Sequence, residues 1–443
     1  MAEPEENQDP ESDQDDQNFP MEIENGHITD SNSGAEGQNS SEDEDLILVN
    51  VSTGEYDRDI PTTHGYLGKL NPLSGYTLFE EGDVLHNIFS IYTNTLVFPG
   101  FTLPLVMNNT FESRVLKNFM NENNKVFVLL CANSVYNGFY EYGVTMEIFE
   151  TNERNNMLHI KAKGRQRCKR VTGSRIDNVA GRIKLITVKI LAEPPIIGPL
   201  EDTQLFSLKN KRKWKLNNFD ELNECRKFRR YHAAQFIWPT WVFEMNEVSY
   251  YTKILLQALS SFGRELVPSD PEKLSYWFVQ NYHLNHRERL QIMGLRSTLE
   301  RLKLEVIYLR LGRLICCKNC EVEITDPTKV FAMSKDGIQS NYVNPGGHVY
   351  ETVTVLEAKN FQLLLGPSRQ FSWFPGYAWT IMQCANCNNH LGWKFSSPDL
   401  TPKKFYGLAN SGIKVISTKT LTDEEDLKDG RISFANDYVG LQL

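Results

Sequence analysis

CCKNC at Cys316–Cys320 and CANC at Cys384–Cys387 are the two stretches on which the reading of this chain turns. Each carries a C-x-x-C pair, and 63 residues separate one pair from the other. Two loops that each present two thiolates can close a tetrahedral four-sulfur shell around Zn²⁺ at ~2.3 Å per bond. Four protein ligands leave no open position for water, and zinc has no redox chemistry, so such a site is structural and couples metal binding to folding. A thioredoxin-like reading needs one pair beside a βαβ pattern, which is absent. Cys316 and Cys317 compete for the first position, and Cys317 alone gives two intervening residues before Cys320. The expected cofactor is one structural zinc on Cys317, Cys320, Cys384 and Cys387. Cys131, Cys168 and Cys225 are isolated and read as core or inert thiols.

Moving outward from the second pair, FSWFPGYAW at Phe371–Trp379 precedes it and HLGWKF at His390–Phe395 follows it. Trp373, Tyr377 and Trp379 fall within seven residues, with a Pro375-Gly376 turn between them. Trp393 lies six residues past Cys387, on the strand expected to leave the knuckle, so the metal would fix its position against the other two tryptophans. One reading is a core cluster, since Trp is highly buried on average. The other is a binding pocket, since loops are a poor place for core and a good place for recognition. Indole walls could hold a cation or a flat polar ring met at its edge by backbone groups.

Upstream, residues 63–195 read as a β module. Val84–Phe98, Lys125–Ala132, Tyr142–Phe149, Met157–Ala162 and Ile183–Leu191 are strand-like, the last with alternation through Ile183, Leu185, Thr187 and Lys189. Many strands joined by short polar turns suggest a barrel or a folded sheet. Residues 196–312 switch to helical period. Asp270-Pro271-Glu272 is a helix start, Asn285 and Glu288 have capping-box spacing, and Leu299, Leu302, Val306 and Leu309 form a stripe. Trp238-Pro239-Thr240-Trp241 breaks this segment. Residues 313–425 return to strands and turns, and 426–443 read as a tail.

The charge is uneven. Residues 1–57 hold 18 Asp or Glu and no Lys or Arg, so the net −9 is a tail of −18 on a body of +9. Such a segment cannot bury enough apolar surface to order itself, and residues 1–62 read as a disordered acidic tail, either solvating or docking on a basic partner. Its Leu46–Val51 run could add a short strand. The basic runs Lys209–Lys215 and Arg226–Arg230 read as solvated helix faces, and no nucleic acid is expected as a partner. No apolar stretch approaches 18 residues, and the first residues lack the n- and h-regions of a signal peptide. The expected setting is the reducing cytoplasm and nucleus, which gives the sequons at Asn50 and Asn108 little meaning.

These residues resemble a known family. CCKNC, YVNPGGHVYETVTV at Tyr342–Val355, SWFPGYAWT at Ser372–Thr380, CANC and LGWKF at Leu391–Phe395 together are similar to the CULT domain, the thalidomide-binding β-tent of the cereblon family. Phe98-Pro-Gly100 with Leu103-Pro-Leu105, and Lys163-Gly-Arg-Gln-Arg167, are similar to the Lon protease N-terminal domain. No G-x-x-x-x-G-K-[ST] loop occurs, so no ATPase is expected. The resemblance implies an α+β multidomain chain: acidic tail, Lon N-terminal-like β domain, helical bundle and zinc-bound CULT domain. It further implies a non-catalytic substrate receptor of a cullin–RING ubiquitin ligase of the fourth cullin class. The expected partners are the DNA-damage-binding propeller adaptor, docked on residues 196–250, and client proteins ending in cyclic imides; glutarimide small molecules would bind in the same pocket. Trp373, Trp379 and Trp393 would wall that pocket, Phe395 would lie beneath, Asn344 and Pro345 would border it, and backbone groups of Phe371 and Trp373 would meet the imide edge. The chain departs from the vertebrate pattern at Phe371, where vertebrate members carry a His that adds a hydrogen bond, and at Gly346 and His348. These differences suggest a divergent, non-vertebrate member.

The same residues suggest two other functions. CANCNNHLGWKF is similar to the knuckle of B-type methionine sulfoxide reductases, but that chemistry needs a nucleophilic Cys later in the chain and none follows Cys387. A cage for methylated ammonium would suit three indoles, but no carboxylate lies close in sequence to favour a cation.

Overall fold

The computed structural model describes residues 54–122, 124–133, 138–154, 157–196, 242, 245–263 and 265–417. The expectations placed on residues 1–53, on both basic runs, on Cys225, on Trp238–Trp241 and on the tail from 426 lie outside the described residues, as does most of the region assigned to adaptor docking.

The described chain opens with β1 (Gly54–Glu55). The first module then contains β2 (Asn71–Pro72), β3 (Val84–Thr93), β4 (Thr102–Met107), β5 (Val126–Asn133), β6 (Gly138–Arg154), β7 (Met157–Arg170), β8 (Asp177–Ala180) and β9 (Ile183–Ile190). β6 pairs with both β5 and β7, and β9 with both β3 and β7, so β6-β5-β3-β9-β7 closes into a ring with β4 on its flank. Closure removes free edges and lets alternate residues fill the interior. Alternate residues of the module enter two separate buried clusters, Phe98, Leu103, Leu105, Phe127, Leu129, Val144, Met146 and Ile160 in one and Val128, Leu130, Ile186 and Val188 in the other. In β9 the buried set is Ile183 and then Ile186, Val188 and Ile190, one residue out of step with the expected alternation. The two Lon-like motifs meet: Gly100 N–H donates to Gly164 O at 2.8 Å, and Gly164 N–H to Phe101 O at 2.9 Å. A side chain at Gly164 would put its Cβ 2.6 Å from Phe98 O, which explains the glycine. Helix α1 (Thr110–Asn121) was not expected. Asn109 caps it by accepting from Phe111 and Glu112 N–H, and Leu116 and Phe119 bury its inner face.

Four further helices follow among the described residues: α2 (Val248–Ala258), α3 (Pro271–Asn281), α4 (His286–Gly294) and α5 (Thr298–Arg310). Asp270 accepts from Lys273 N–H, and the Asn285–Glu288 capping box is present. A second box, Ser297–Glu300, opens α5. Each such cap is worth about 1 kcal/mol. Leu274, Phe278, Leu302 and Val306 bury the facing stripes.

The last module contains β10 (Arg313–Cys317), β11 (Glu323–Thr325), β12 (Gln339–Val343), β13 (Val349–Val355), β14 (Phe361–Ser368), β15 (Ala378–Cys384), β16 (His390–Ser396), β17 (Leu400–Thr401), β18 (Lys404–Ala409) and β19 (Ile413–Ser417). They form a three-stranded sheet, β11-β10-β19, and a six-stranded sheet, β12-β13-β18-β16-β15-β14. Residues 54–62, the end of the stretch read as disordered tail, and the residues 63–67 that follow are placed against both β modules. β1 pairs in parallel with β17, and Tyr56 is buried edge-on to Tyr377 at 5.3 Å. Lys161 of β7 donates to Thr63 O at 2.8 Å. The sequence reading missed this because Tyr56, Tyr66 and Leu67 are too few to show periodicity beside an acidic run.

Candidate metal centre and aromatic pocket

The two knuckles are built alike. Cys317 N–H donates to Val322 O and Glu321 N–H to Cys317 O; Cys384 N–H donates to Asn389 O and Asn388 N–H to Cys384 O. Glu321 and Asn388, each the residue after a second cysteine, are both left-handed at φ 58°. These matched turns bring four Sγ atoms within 4.8 Å of one another, with Cys317 to Cys387 and Cys320 to Cys384 each at 3.5 Å. Sulfurs held at ~2.3 Å by a tetrahedral zinc stand ~3.8 Å apart, so the donors fit the ion. Four thiolates this close would repel strongly unless a cation lay among them. Asn389 backs the cluster, its amide donating to Gly412 O at 2.8 Å and approaching Cys317 Sγ at 3.6 Å. The four cysteines are suited to one structural zinc ion. Cys316, whose neighbour is the ligand, is buried separately.

β15 and β16 leave the second knuckle carrying aromatics on one face. Trp379 stands opposite Phe395 and Ile381 opposite Trp393, so Trp379 and Trp393 are diagonal neighbours. Trp373 meets Trp393 edge-to-face at 4.6 Å. Phe395 is 1% exposed, below them, stacked on Phe405 and edge-on to Phe374. The Phe371–Trp379 loop supports both readings, residue by residue. Phe374 and Tyr377 are fully buried core, Trp379 and Trp393 are half-buried, and Phe371 is 46% exposed on the rim. Both loop indoles spend their N–H groups internally: Trp373 on Val343 O at 3.3 Å and Trp379 on Gln370 O at 2.8 Å. Both rings are therefore oriented by the fold, Trp373 as a buried wall, 7% exposed and stacked on Tyr342, and Trp379 half-buried.

Asn344 closes the β12–β13 hairpin. Its Oδ1 accepts from His348 N–H at 2.8 Å, and its carbonyl accepts from Gly347 N–H. Pro345 is exposed, with its carbonyl 3.5 Å from Asn108 Nδ2 of the first module. The polar contacts of Asn344 and Pro345 thus go to their own loop and to Asn108. Sequence reasoning missed Tyr342, Tyr350 and His390. Tyr342 stacks on Trp373 at 5.1 Å and 11°, Tyr350 is edge-on to Trp393 at 4.9 Å, and His390 is edge-on to Trp393 at 4.9 Å. The spacing of Tyr342 and Tyr350 about a Pro-Gly-Gly turn, which pairs them across a hairpin, was the available signal.

Comparison with known proteins agrees with this architecture. Residues 88–310 match the family described as the ATP-dependent protease La (LON) substrate-binding domain. Residues 313–427 match the Yippee zinc-binding/DNA-binding/Mis18, centromere assembly family. Over 407 residues the chain is 31% identical to protein cereblon of Danio rerio, covering 85% of this chain and 94% of that one. Against protein cereblon of Gallus gallus it is 30% identical over 81% and 84% of the two chains. The chain belongs to the cereblon family. Cereblon of Drosophila melanogaster is 29% identical, with 81% of this chain matched to 62% of that one. The first match thus takes in the first β module and the helices that follow it, and the second the last β module. No helix among the described residues is long and apolar enough to cross a membrane.

Proposed function

We propose that this cereblon-family chain is the non-catalytic client receptor of a cullin–RING ubiquitin ligase of the fourth cullin class. Its pocket of Trp373, Trp379 and Trp393 would take cyclic imides, either at the C-terminal ends of client proteins or as free glutarimides. Client binding would bring those proteins to ubiquitination and proteasomal degradation in cytoplasm and nucleus. The observation that supports the ligand class best is the consumption of two indole N–H groups inside the fold. Apolar walls with fixed orientation suit a flat ring whose polar edge is met by backbone groups of the Phe371–Trp373 segment. Asn344 and Pro345 would border the ring from the hairpin. The helices and the preceding segment would dock the DNA-damage-binding propeller adaptor.

The test is a glutarimide titration of the zinc-loaded protein followed by tryptophan fluorescence, with Trp379→Ala as control, alongside recovery of the adaptor from cell extract. Saturable quenching lost in Trp379→Ala, with adaptor recovered, is the expected result. Protein that binds neither glutarimide nor adaptor would remove the reading. A trimethyl-lysine peptide that binds in place of glutarimide would convert the pocket to an ammonium cage.

A further inference from the structure

The β12–β13 hairpin is two-faced. Tyr342 and Tyr350 stand opposite one another and face the pocket, where they pack on Trp373 and Trp393. Val343 O receives the Trp373 indole N–H. Asn341 and Glu351, the next opposed pair, face the other way. On that side Arg289 of α4 grips both carboxylate oxygens of Glu351 at 3.0 Å and donates to Leu96 O of the first module at 3.0 Å. Asn410 completes the carboxylate at 3.2 Å, and Asn341 reaches Thr102 O at 3.4 Å. The ion pair is almost wholly buried, at 3% and 9% side-chain exposure. At the base of β12, Asn281, the last residue of α3, accepts from Ile338 and Gln339 N–H at 2.7 and 3.1 Å. A side chain at Gly337 would place its Cβ 2.1 Å from the Asn281 amide oxygen.

We infer that Arg289 and Asn281 are positioning residues for the aromatic pocket: two helix side chains clamp the two strands whose opposite face sets the angle between Trp373 and Trp393. Each clamp is directional: Arg289 Nη1 is shared by both Glu351 oxygens while Nη2 is tied to Leu96 O, and the Asn281 amide oxygen accepts from two successive backbone N–H groups, so both fix register as well as contact. A buried pair of this kind adds little net stability over an apolar equivalent, so orientation is the contribution to look for. As regards the ligand, the inference rests on the cyclic-imide reading; as regards the tryptophan geometry, it does not.

Full-length Arg289→Ala and Asn281→Ala are compared with the parent by zinc content, far- and near-ultraviolet circular dichroism, and glutarimide titration. The expected result is unchanged zinc and far-ultraviolet signal, altered near-ultraviolet bands from the Trp373–Trp393 pair, and a Kd raised about tenfold, equal to ~1.4 kcal/mol. Should Arg289→Ala not be recovered folded, Glu351→Gln, which keeps one acceptor for the guanidinium, carries the same readouts. Variants that melt earlier but keep the parent's near-ultraviolet bands and Kd would show a merely structural role and overturn the inference. If the parent binds no glutarimide, the ligand reading falls while the dichroism still decides the clamp.

Discussion

His64 is a single imidazole enclosed by the edges of Tyr66 and Tyr342 and 3% exposed. Tyr66 OH accepts from Val343 N–H and lies 3.0 Å from His64 Nδ1, while His64 Nε2 is buried without a hydrogen-bond partner. Burial, reinforced by the nearby Lys161 ammonium, pushes this His down to about 3. A His held neutral in the fold and titrating at ~6.5 when unfolded contributes stability above ~6.5 that is lost as pH falls toward its folded value. The loss amounts to ~1.4 kcal/mol per pH unit in that window. His64→Phe, which keeps a ring between the tyrosines, should flatten the urea midpoint against pH between 6.5 and 5; a slope unchanged from the parent would reject this account. On the proposed cyclic-imide reading, Phe371 bears on affinity instead. It is exposed and left-handed at φ 53°, an uncommon conformation for a bulky residue, so its place on the rim is set by the backbone. Phe371→His offers a ring donor at the imide edge, and one neutral hydrogen bond is worth ~0.5–1.5 kcal/mol. Glutarimide Kd should fall roughly two- to tenfold on that basis, measured by the same fluorescence titration.

At the scale of elements, the two knuckles are short turns whose folded shape is otherwise supported by only a few backbone hydrogen bonds each. Zinc therefore closes the junction between the three-stranded sheet, through β10, and the six-stranded sheet, through β15 and β16. Cys384→Ser, or a strong chelator, should release that junction, scatter the tryptophan cluster and, on the proposed reading, abolish glutarimide binding. Asn389→Ala removes the amide that backs Cys317 and should weaken zinc ~10–100-fold, the usual cost of losing an outer-shell partner. Competition with a chromophoric chelator reads both effects, and Asn389→Ala with the parent's zinc affinity would deny the amide that part. The knuckles, the strands flanking them and the capped helices were legible because each signal is local: C-x-x-C spacing, Asp-Pro at a helix start, Asn and Glu three apart. Helix α1 was hidden because its apolar positions, Leu116 and Phe119, follow a weakly patterned run between two strands. The pocket's second wall was hidden for a different reason. Tyr342 and Tyr350 join Trp373 and Trp393 only after a hairpin and a sheet have formed, and nothing in the spacing of one segment reports its partner in another.

Across the whole molecule, one carboxylate gathers several of the polar links across the seam between the first module and the helices. Glu193, just beyond β9, accepts from Arg167 of β7, from Tyr276 of α3, and from Thr298 and Arg301 of α5. Arg301 is fully buried, and its Nε donates to Ser275 Oγ. Arg167 also donates to the carbonyls of Met293 and Leu295 at the end of α4. Two helices, α3 and α5, are thereby fastened to the barrel through Glu193, and the end of α4 through Arg167. Burial alone would raise the Glu193 carboxyl, but its arginine and tyrosine partners outweigh that and hold it below the ordinary carboxylate range. A carboxylate depressed in the fold contributes stability above its unfolded value of ~4.3, and that contribution is lost as pH falls through the folded value. Removing the carboxylate leaves the buried Arg301 and Arg167 without the acceptor they share, a change that costs ~3–5 kcal/mol in comparable buried pairs. The chain has more than one module, so a single unfolding free energy is a poor measure of this loss. Amide hydrogen exchange is the better one. Glu193→Ala should speed exchange across α3 and α5 together while leaving the zinc-bound sheet protected, because β15 and β16 are anchored by the knuckle and not by the seam. Uniform acceleration over both β modules would mean that the seam and the zinc centre unfold as one unit.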